Sequence, residues 1–155
     1  MISGSGETLI TGVSAQDIFE FVLDPAQYTK ADTKIRGVTK LADLPSGMIA
    51  REDGVFLGRF RGSVVTRYVW EPPHHIDVTL EHGIPEKLHA WFEIRDEDGG
   101  AWIRHVEEMD FGHGPAGVLY DLVARNWFAR AVAQEVREIK RLMEAGERGR
   151  GLAAL

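Results

Sequence analysis

Residues 117–145, GVLYDLVARNWFARAVAQEVREIKRLMEA, form the longest periodic segment of this 155-residue chain. Neither glycine nor proline occurs after the first residue, so the segment predicts a helix of about eight turns. In its C-terminal half, Phe128, Val132, Val136, Ile139 and Met143 recur at helical spacing and predict one apolar stripe. A long helix with such a stripe needs a second layer of structure that covers it.

The sequence before this helix has the pattern of a sheet. Between Lys34 and Phe111 the apolar residues recur with a period of two, which is typical of β-strands. Turn-forming residues divide this region into about six strands. The turn signals are Pro45-Ser46-Gly47, Asp53-Gly54, Pro72-Pro73, Gly83-Ile84-Pro85 and Asp98-Gly99-Gly100. Together with Ile2–Thr11, the pattern predicts about seven strands in an antiparallel meander.

Two short helical segments are expected between the first two strands. Ser14 is a suitable N-cap, and Asp17 stands where a capping box needs a side chain that bonds back. Pro25 disfavours a helical conformation at Asp24 and therefore ends the first segment. The expected fold is α+β, with a curved antiparallel sheet of about seven strands wrapped around the long C-terminal helix. We expect one domain over residues 1–146 and a flexible tail over 147–155.

Composition narrows the classes of partner. The formal net charge of −6 argues against nucleic acid, which is bound largely through a positive surface. Arg59, Arg61 and Arg67 fall on one face of a strand, where we expect a solvated outer surface. Cysteine is absent and the six histidines do not converge, so neither a metal site nor a cofactor is expected. The lack of a signal segment or a membrane-spanning run, together with the lack of cysteine, predicts a cytoplasmic protein.

Four features of the chain carry a family resemblance. They are Leu23-Asp24-Pro25 after the first short helix, Trp70-Glu71-Pro72-Pro73 between two strands, the Gly99-Gly100 hairpin and the final helix. In this order of elements the chain, from Ile2 to about Glu144, resembles the START-like SRPBCC superfamily. That superfamily includes START domains, plant pollen-allergen proteins and polyketide cyclase/dehydrase proteins. The resemblance implies a helix-grip fold with a cavity for a small hydrophobic molecule.

The last predicted strand offers the first polar candidates. Alternation places His105 and Glu107 on its more apolar face, beside Ile103 and Met109, so both should point inward. An inward carboxylate next to an inward imidazole orients a ligand or acts as an acid–base pair. The alternative is that the two side chains only satisfy each other, as buried polar groups usually do.

The apolar wall of the cavity is predicted from three strands. The even-numbered residues of the strand Arg59–Glu71 include Phe60, Tyr68 and Trp70, and alternation turns Phe92 inward on a later strand. A phenol in such a wall can hydrogen-bond a ligand. The predicted ligand-binding residues are Phe60, Tyr68, Trp70, Phe92, Ile103, His105, Glu107, Met109, Asp121 and Arg125, and ordinary core packing is the alternative for the aromatic ones.

Asp121 and Arg125 enter this set through the phase of the long helix. The core stripe, projected back at about 100° per residue, passes over both residues. An inward Arg125 would meet a ligand carboxylate, phosphate or enolate, whereas a rotated helix would leave the pair in solvent.

The same projection places Tyr120, Val123 and Trp127 opposite the core stripe. Apolar residues on an outer helix face indicate either a covering loop or a partner surface. We therefore consider a homodimer through these three residues as a hypothesis.

Three functions remain open from the sequence. The first is binding or transport of a lipid-like, aromatic or polyketide-like molecule. The second is a polyketide cyclase/dehydrase-like lyase or isomerase, in which His105 or Glu107 removes a proton and Tyr68 or Arg125 stabilises an enolate. The third is a non-catalytic protein-interaction module.

Overall fold

A computed structural model describes residues 1–151 of the chain. Seven strands and three helices follow one another in the predicted order. They are β1 (Ile2–Thr11), α1 (Ala15–Leu23), α2 (Pro25–Ala31), β2 (Ile35–Leu44), β3 (Gly47–Phe56), β4 (Phe60–Glu71), β5 (His75–His82), β6 (Lys87–Glu97), β7 (Gly100–Asp110) and α3 (Pro115–Glu144).

The strands form one curved, open antiparallel sheet in the order β1-β7-β6-β5-β4-β3-β2. Strands β2 to β7 are a continuous meander, and β1 returns to pair with β7, where Ile2 lies opposite Met109. The predicted α+β helix-grip architecture is therefore confirmed.

The first short helix forms as its caps predict. Ser14 Oγ accepts a hydrogen bond from the Asp17 backbone N–H (3.1 Å), and Asp17 Oδ2 accepts one from the Ser14 N–H (2.9 Å). Asp24 ends α1 and caps α2, because its side chain accepts a bond from the Ala26 N–H. These two helices connect the sheet edges β1 and β2 and cover one end of the core.

Helix α3 packs against β1 through the predicted stripe. Its residues Phe128, Val132, Val136, Ile139 and Met143 are all buried, so this expectation is confirmed. The helix lies so close to β1 that a Cβ on Gly4 would stand 2.8 Å from the Val132 Cβ. Glycine at this position of β1 therefore permits the close approach.

Two predicted boundaries are wrong. Asp53-Gly54 does not form a turn but lies within β3, which continues to Phe56 because its pairing with β4 is uninterrupted. The chain turns instead at Leu57 and Gly58, which have φ of 53° and 71°. Helix α3 begins at Pro115, two residues before the predicted start, since proline fits the first turn of a helix.

The residues after α3 contact the end of α3 and the junction between α1 and α2. The Arg148 guanidinium donates to the Met143 carbonyl oxygen (2.7 Å), and the Arg150 N–H donates to Asp24 Oδ2 (3.0 Å). The remainder of the predicted tail, residues 152–155, lies outside the described residues. Within residues 1–151, none of the helices combines the length and apolarity needed to cross a bilayer.

Candidate functional site

A cavity of about 220 Å³ lies between the β3–β4 hairpin, the end of β7 and the first half of α3. Its wall is mainly apolar. The apolar residues are Ile35, Val55, Phe56, Phe60, Val64, Ile84, Pro85, Leu88, Met109, Phe111, Tyr120, Trp127 and Phe128. An apolar cavity of about 150 Å³ accommodates benzene, so the volume of this cavity corresponds to a molecule of one ring or of two fused rings.

Exposure distinguishes the mouth of the cavity from its inner end. Ile84 and Phe60 are 82% and 54% exposed and mark the mouth. Of the four charged residues in the wall, Lys34, Glu52 and Glu107 are buried and mark the inner end, whereas Arg61 is exposed. A ligand would therefore place its apolar body between the hairpin and α3 and a polar group at the inner end.

Four aromatic residues close the wall between β3 and α3, and we call them the aromatic cluster: Phe56, Phe111, Tyr120 and Trp127. The Phe56 ring centroid lies 5.3 Å from those of Phe111 and Trp127 and 6.0 Å from that of Tyr120. Edge-to-face contacts at these distances stabilise the hairpin against the helix.

Behind the inner end lies a set of buried charged groups, which we call the ion cluster: Asp32, Lys34, His105, Glu107 and Glu135. Lys34 Nζ lies 2.8 Å from Glu135 Oε2, 2.9 Å from Asp32 Oδ1 and 3.3 Å from Glu107 Oε2. The three ammonium donors thus face three carboxylates. Burial lowers the pKa of Lys34, but the three carboxylates outweigh it and hold that pKa well above its usual value.

His105 is held on the other side of these carboxylates. Its Nδ1 lies 3.0 Å from the Trp91 carbonyl oxygen, and its ring stacks on Phe92 with centroids 3.9 Å apart. Its Nε2 is buried, makes no hydrogen bond and lies 3.4 Å from Glu135 Oε1 and 3.8 Å from Glu107 Oε2. Burial lowers the pKa of His105, but the charges of Glu135 and Glu107 outweigh it, so the pKa is raised.

Glu52 is the other carboxyl group at the inner end. Its Oε1 accepts hydrogen bonds from the Tyr68 hydroxyl (2.6 Å) and the Thr66 hydroxyl (2.8 Å). Burial raises the pKa of Glu52 to about 7, with a further contribution from Glu107, although the two hydrogen bonds lower it. A carboxyl group with this pKa can donate or accept a proton near neutral pH.

Among residues 1–151, one group of side chains has the composition of a metal site. Single ligand atoms of His105, Glu107 and Glu135 lie within 4.8 Å of one another. The ammonium group of Lys34 already contacts both carboxylates, so a lysine supplies the positive charge there. Elsewhere on the sheet, His89 Nε2 lies 2.9 Å from Asp77 Oδ2, and His82 is exposed.

The predicted site residues occupy three different environments. Phe60, Glu107 and Met109 line the cavity, and Tyr68 lies one hydrogen bond behind the wall through Glu52. His105 lies behind Glu107. The remaining strand residues belong to the hydrophobic core, in which Phe92 and Ile103 are buried and Trp70 is partly buried.

The predicted orientation of the first half of α3 is wrong. Arg125 is exposed, and Asp121 forms an ion pair with the N-terminal amine of Met1, so neither lines the cavity. Ala124 and Phe128 occupy the buried positions instead. Tyr120 and Trp127, expected on the outer face, line the cavity, because aromatic rings cover an apolar cavity at less cost than an unpaired charge does.

Sequence reasoning missed five polar residues at or behind the inner end: Lys34, Glu52, Asp32, Glu135 and Tyr28, whose hydroxyl donates to Glu135 Oε1. Glu135 had a detectable signal, since it lies between Val132 and Ile139 on the apolar stripe. Glu52 continues the inward alternation of β3 after Met48 and Ala50. Lys34 precedes its strand and follows no periodic pattern.

The fold defines the structural class: the chain has the helix-grip fold of START-like proteins. The protein TTHA0849 from Thermus thermophilus superposes with a TM-score of 0.78 at 11% identity, over 94% of this chain and 99% of that one. A START superfamily protein from Mycobacterium smegmatis gives 0.63 at 22% identity, over 90% and 98%. The Zhui aromatase/cyclase from Streptomyces sp. R1128 gives 0.64 at 16% identity, over 93% and 97%. No protein-family model and no curated protein matches the sequence, and identities this low establish the fold alone.

Proposed function

We propose that this chain binds a small, mainly apolar molecule of one or two fused rings in the cavity. The observation that carries this proposal is the change of chemistry along the cavity, from the aromatic cluster to the buried polar residues Lys34, Glu52 and Glu107. Apolar walls with a few convergent polar groups are the usual composition of small-molecule sites. The likeness to a START superfamily protein and to an aromatase/cyclase supports a hydrophobic ligand.

The size of the cavity sets the expected affinity. A ligand that buries roughly 200 Å² of apolar surface gains about 5 kcal/mol at about 25 cal/mol per Å². This corresponds to a Kd of a few tenths of a millimolar, to which hydrogen bonds at the inner end would add. The cavity would have to widen for a long lipid chain, so a compact ring system fits this proposal better than an extended one.

Binding is tested by NMR titration with indane, a bicyclic hydrocarbon. We expect saturable shifts at residues of the wall and at least a tenfold loss of affinity in Met109→Trp, which fills the cavity. Leu41→Trp, at a position 55% exposed and outside the wall, is the control and should bind as the wild type does. Shifts confined to other surfaces, or a Met109→Trp variant with unchanged affinity, would contradict the proposal.

A role of this protein as a carrier is tested by native mass spectrometry of the protein purified from its own host. A carrier should retain a stoichiometric apolar molecule, which extraction would identify. Protein purified without any bound mass would oppose a carrier role and favour a transiently occupied site.

A second candidate function is acid–base catalysis on a carbonyl compound. The specific observation in its favour is that two carboxyl groups, Glu52 and Glu107, line the same inner end. Glu107 would remove an α-proton while Glu52 protonates the carbonyl oxygen, which gives an enol. This assignment replaces Arg125, which is exposed, and leaves His105 to position Glu107.

The reaction is tested by deuterium exchange at C2 of 1-indanone in D₂O, followed by NMR. An enzyme of this kind should exchange the α-proton faster than buffer alone and lose at least a hundredfold in rate in Glu107→Gln. Exchange at the buffer rate would remove this candidate while leaving ligand binding intact.

A further inference from the structure

The two oxygens of Glu52 have different partners. Both hydroxyl donors, from Thr66 and Tyr68 of β4, bond to Oε1. An sp² oxygen has two acceptor positions, so Oε1 is saturated by the protein itself. Glu52 also lines the cavity, and neither hydroxyl group bonds to its Oε2, so a ligand at the inner end would meet this oxygen.

The surroundings of Glu52 favour its neutral form. Lys34, on the same wall, forms its ion pairs with Asp32, Glu107 and Glu135. None of the cations in residues 1–151 forms an ion pair with Glu52. The other ionisable groups that act on Glu52 are Tyr68 from β4, Glu107 from β7 and Asp32 from the segment after α2. A buried carboxyl group without a cation and close to other carboxylates retains its proton.

The position of the proton follows from these bonds. Because Oε1 accepts two hydrogen bonds, the neutral group carries its proton on Oε2. The O–H of Glu52 is then a donor at the inner end of the cavity, where Lys34 and Glu107 are already paired with each other.

We propose that Glu52 selects ligands that carry a carbonyl oxygen, to which the O–H on Oε2 donates. This inference rests on the proposed function and deepens it, since it names the polar group that the ligand presents to the inner end. A carbonyl oxygen accepts a hydrogen bond and has no hydrogen of its own to donate. It therefore needs no free acceptor on Glu52, whose Oε1 is already saturated.

The pH dependence of this selection has a definite sign. The pKa of Glu52 is about 7, so the donor is present below that pH and is lost above it. At pH 8.5 about 3% of the group would remain protonated, so carbonyl affinity should fall by up to about thirtyfold from pH 5.5. The affinity of a hydrocarbon of the same shape should not change.

Indane and 1-indanone are the matched probes, because they differ only in the carbonyl group. Kd values for both are measured by NMR titration at pH 5.5 and pH 8.5. We expect at least a tenfold loss for 1-indanone at the higher pH and less than a twofold change for indane. A parallel change for both probes, or no pH effect on 1-indanone, overturns the inference.

Variants assign the effect to Glu52. Glu52→Gln keeps an oxygen for Thr66 and Tyr68 and presents an N–H donor that does not titrate. It should bind 1-indanone within about threefold of the wild type at pH 5.5, with no loss at pH 8.5. Glu97→Gln, at an exposed position paired with Arg95 outside the cavity, should retain the wild-type pH dependence. The inference is wrong if Glu52→Gln also retains it.

The two proposals fail differently. If neither probe binds, the proposed function is wrong and this inference falls with it. If indane binds but 1-indanone shows no dependence on pH or on Glu52, only the carbonyl selection is wrong.

Discussion

Lys34 is the residue that holds the ion cluster together. Its ammonium group contacts three carboxylates, and its side chain is 9% exposed while that of Glu135 is fully buried. Charges at such depth are tolerated only when they are paired, because a buried unpaired carboxylate loses its hydration without compensation. The cluster lies directly behind the cavity wall, so Lys34 stabilises the inner end of the site.

Replacing Lys34 should therefore destabilise the protein strongly. We expect Lys34→Met to lower the free energy of unfolding by about 3–5 kcal/mol at pH 7, because it removes the ammonium group that pairs with Asp32, Glu107 and Glu135. Urea unfolding at pH 7 and pH 5 measures this.

The loss in free energy of unfolding caused by Lys34→Met should be smaller at pH 5 than at pH 7. Burial already raises the pKa of Asp32, and loss of the lysine raises it further, so protonation relieves the repulsion as the pH falls. The control Lys30→Met breaks a surface pair with Glu147 and should cost less than about 1 kcal/mol. Wild-type stability of Lys34→Met at pH 7 would show that the cluster contributes nothing.

At the scale of elements, the contact between β1 and α3 sets the position of the long helix. Gly4 and Gly6 present no side chain to the helix, and a Cβ on Gly4 would also lie 3.1 Å from the Ala129 Cα. The obstacle is therefore partly backbone, which cannot rotate away as a flexible side chain can. The cavity lies between the first half of α3 and the sheet, so a shift of α3 away from β1 would change the width of the cavity.

A methyl group at Gly4 should push α3 away from β1. We expect Gly4→Ala to lower the free energy of unfolding by about 1–3 kcal/mol, as overpacking in a tight interface usually does. The matched control is Gly37→Ala in β2, where an added Cβ meets nothing within 4 Å, and it should change stability by less than about 0.5 kcal/mol. Equal stability of the two variants in thermal and urea unfolding would show that the β1–α3 contact is not tight.

At the scale of the whole molecule, the outer face of the first half of α3 remains apolar. Leu119 and Leu122 are 61% and 72% exposed, and Val123 is exposed beside them. Tyr120 and Trp127 have turned to the aromatic cluster, so only Val123 of the three residues predicted for a homodimer contact remains wholly on this face. The homodimer stays a prediction, now centred on Leu119, Leu122 and Val123.

Sedimentation of the wild type at about 10–100 µM tests this prediction. We expect twice the chain mass of 17.3 kDa, and a single chain for Leu122→Glu, because a charge in the centre of a small apolar contact opposes association. Leu41→Glu, on an exposed position of β2, is the control and should leave the dimer intact. A wild-type protein that sediments as a single chain throughout this range would contradict the dimer.

The sequence by itself determined the architecture of this protein. Seven strands, the capping box at Ser14 and Asp17 and the buried stripe of α3 from Phe128 to Met143 were all predicted, because each depends on residues close together in the chain. The alternation of apolar and polar residues also predicted which residues of β4, β6 and β7 point inward. Three of them, Phe60, Glu107 and Met109, lie on the cavity wall.

Only the tertiary structure decided which polar groups meet. Lys34 and Glu135 are 101 residues apart, and no local pattern connects them. Contacts between segments also decided where β3 ends, because its pairing with β4 continues past the turn signal at Asp53-Gly54. They decided the rotation of α3 as well, because Trp127 packs inward against Phe56. Periodicity fixes the apolar side of an element, whereas the partner that covers that side depends on contacts between distant segments. The candidate site of this protein is built from such contacts.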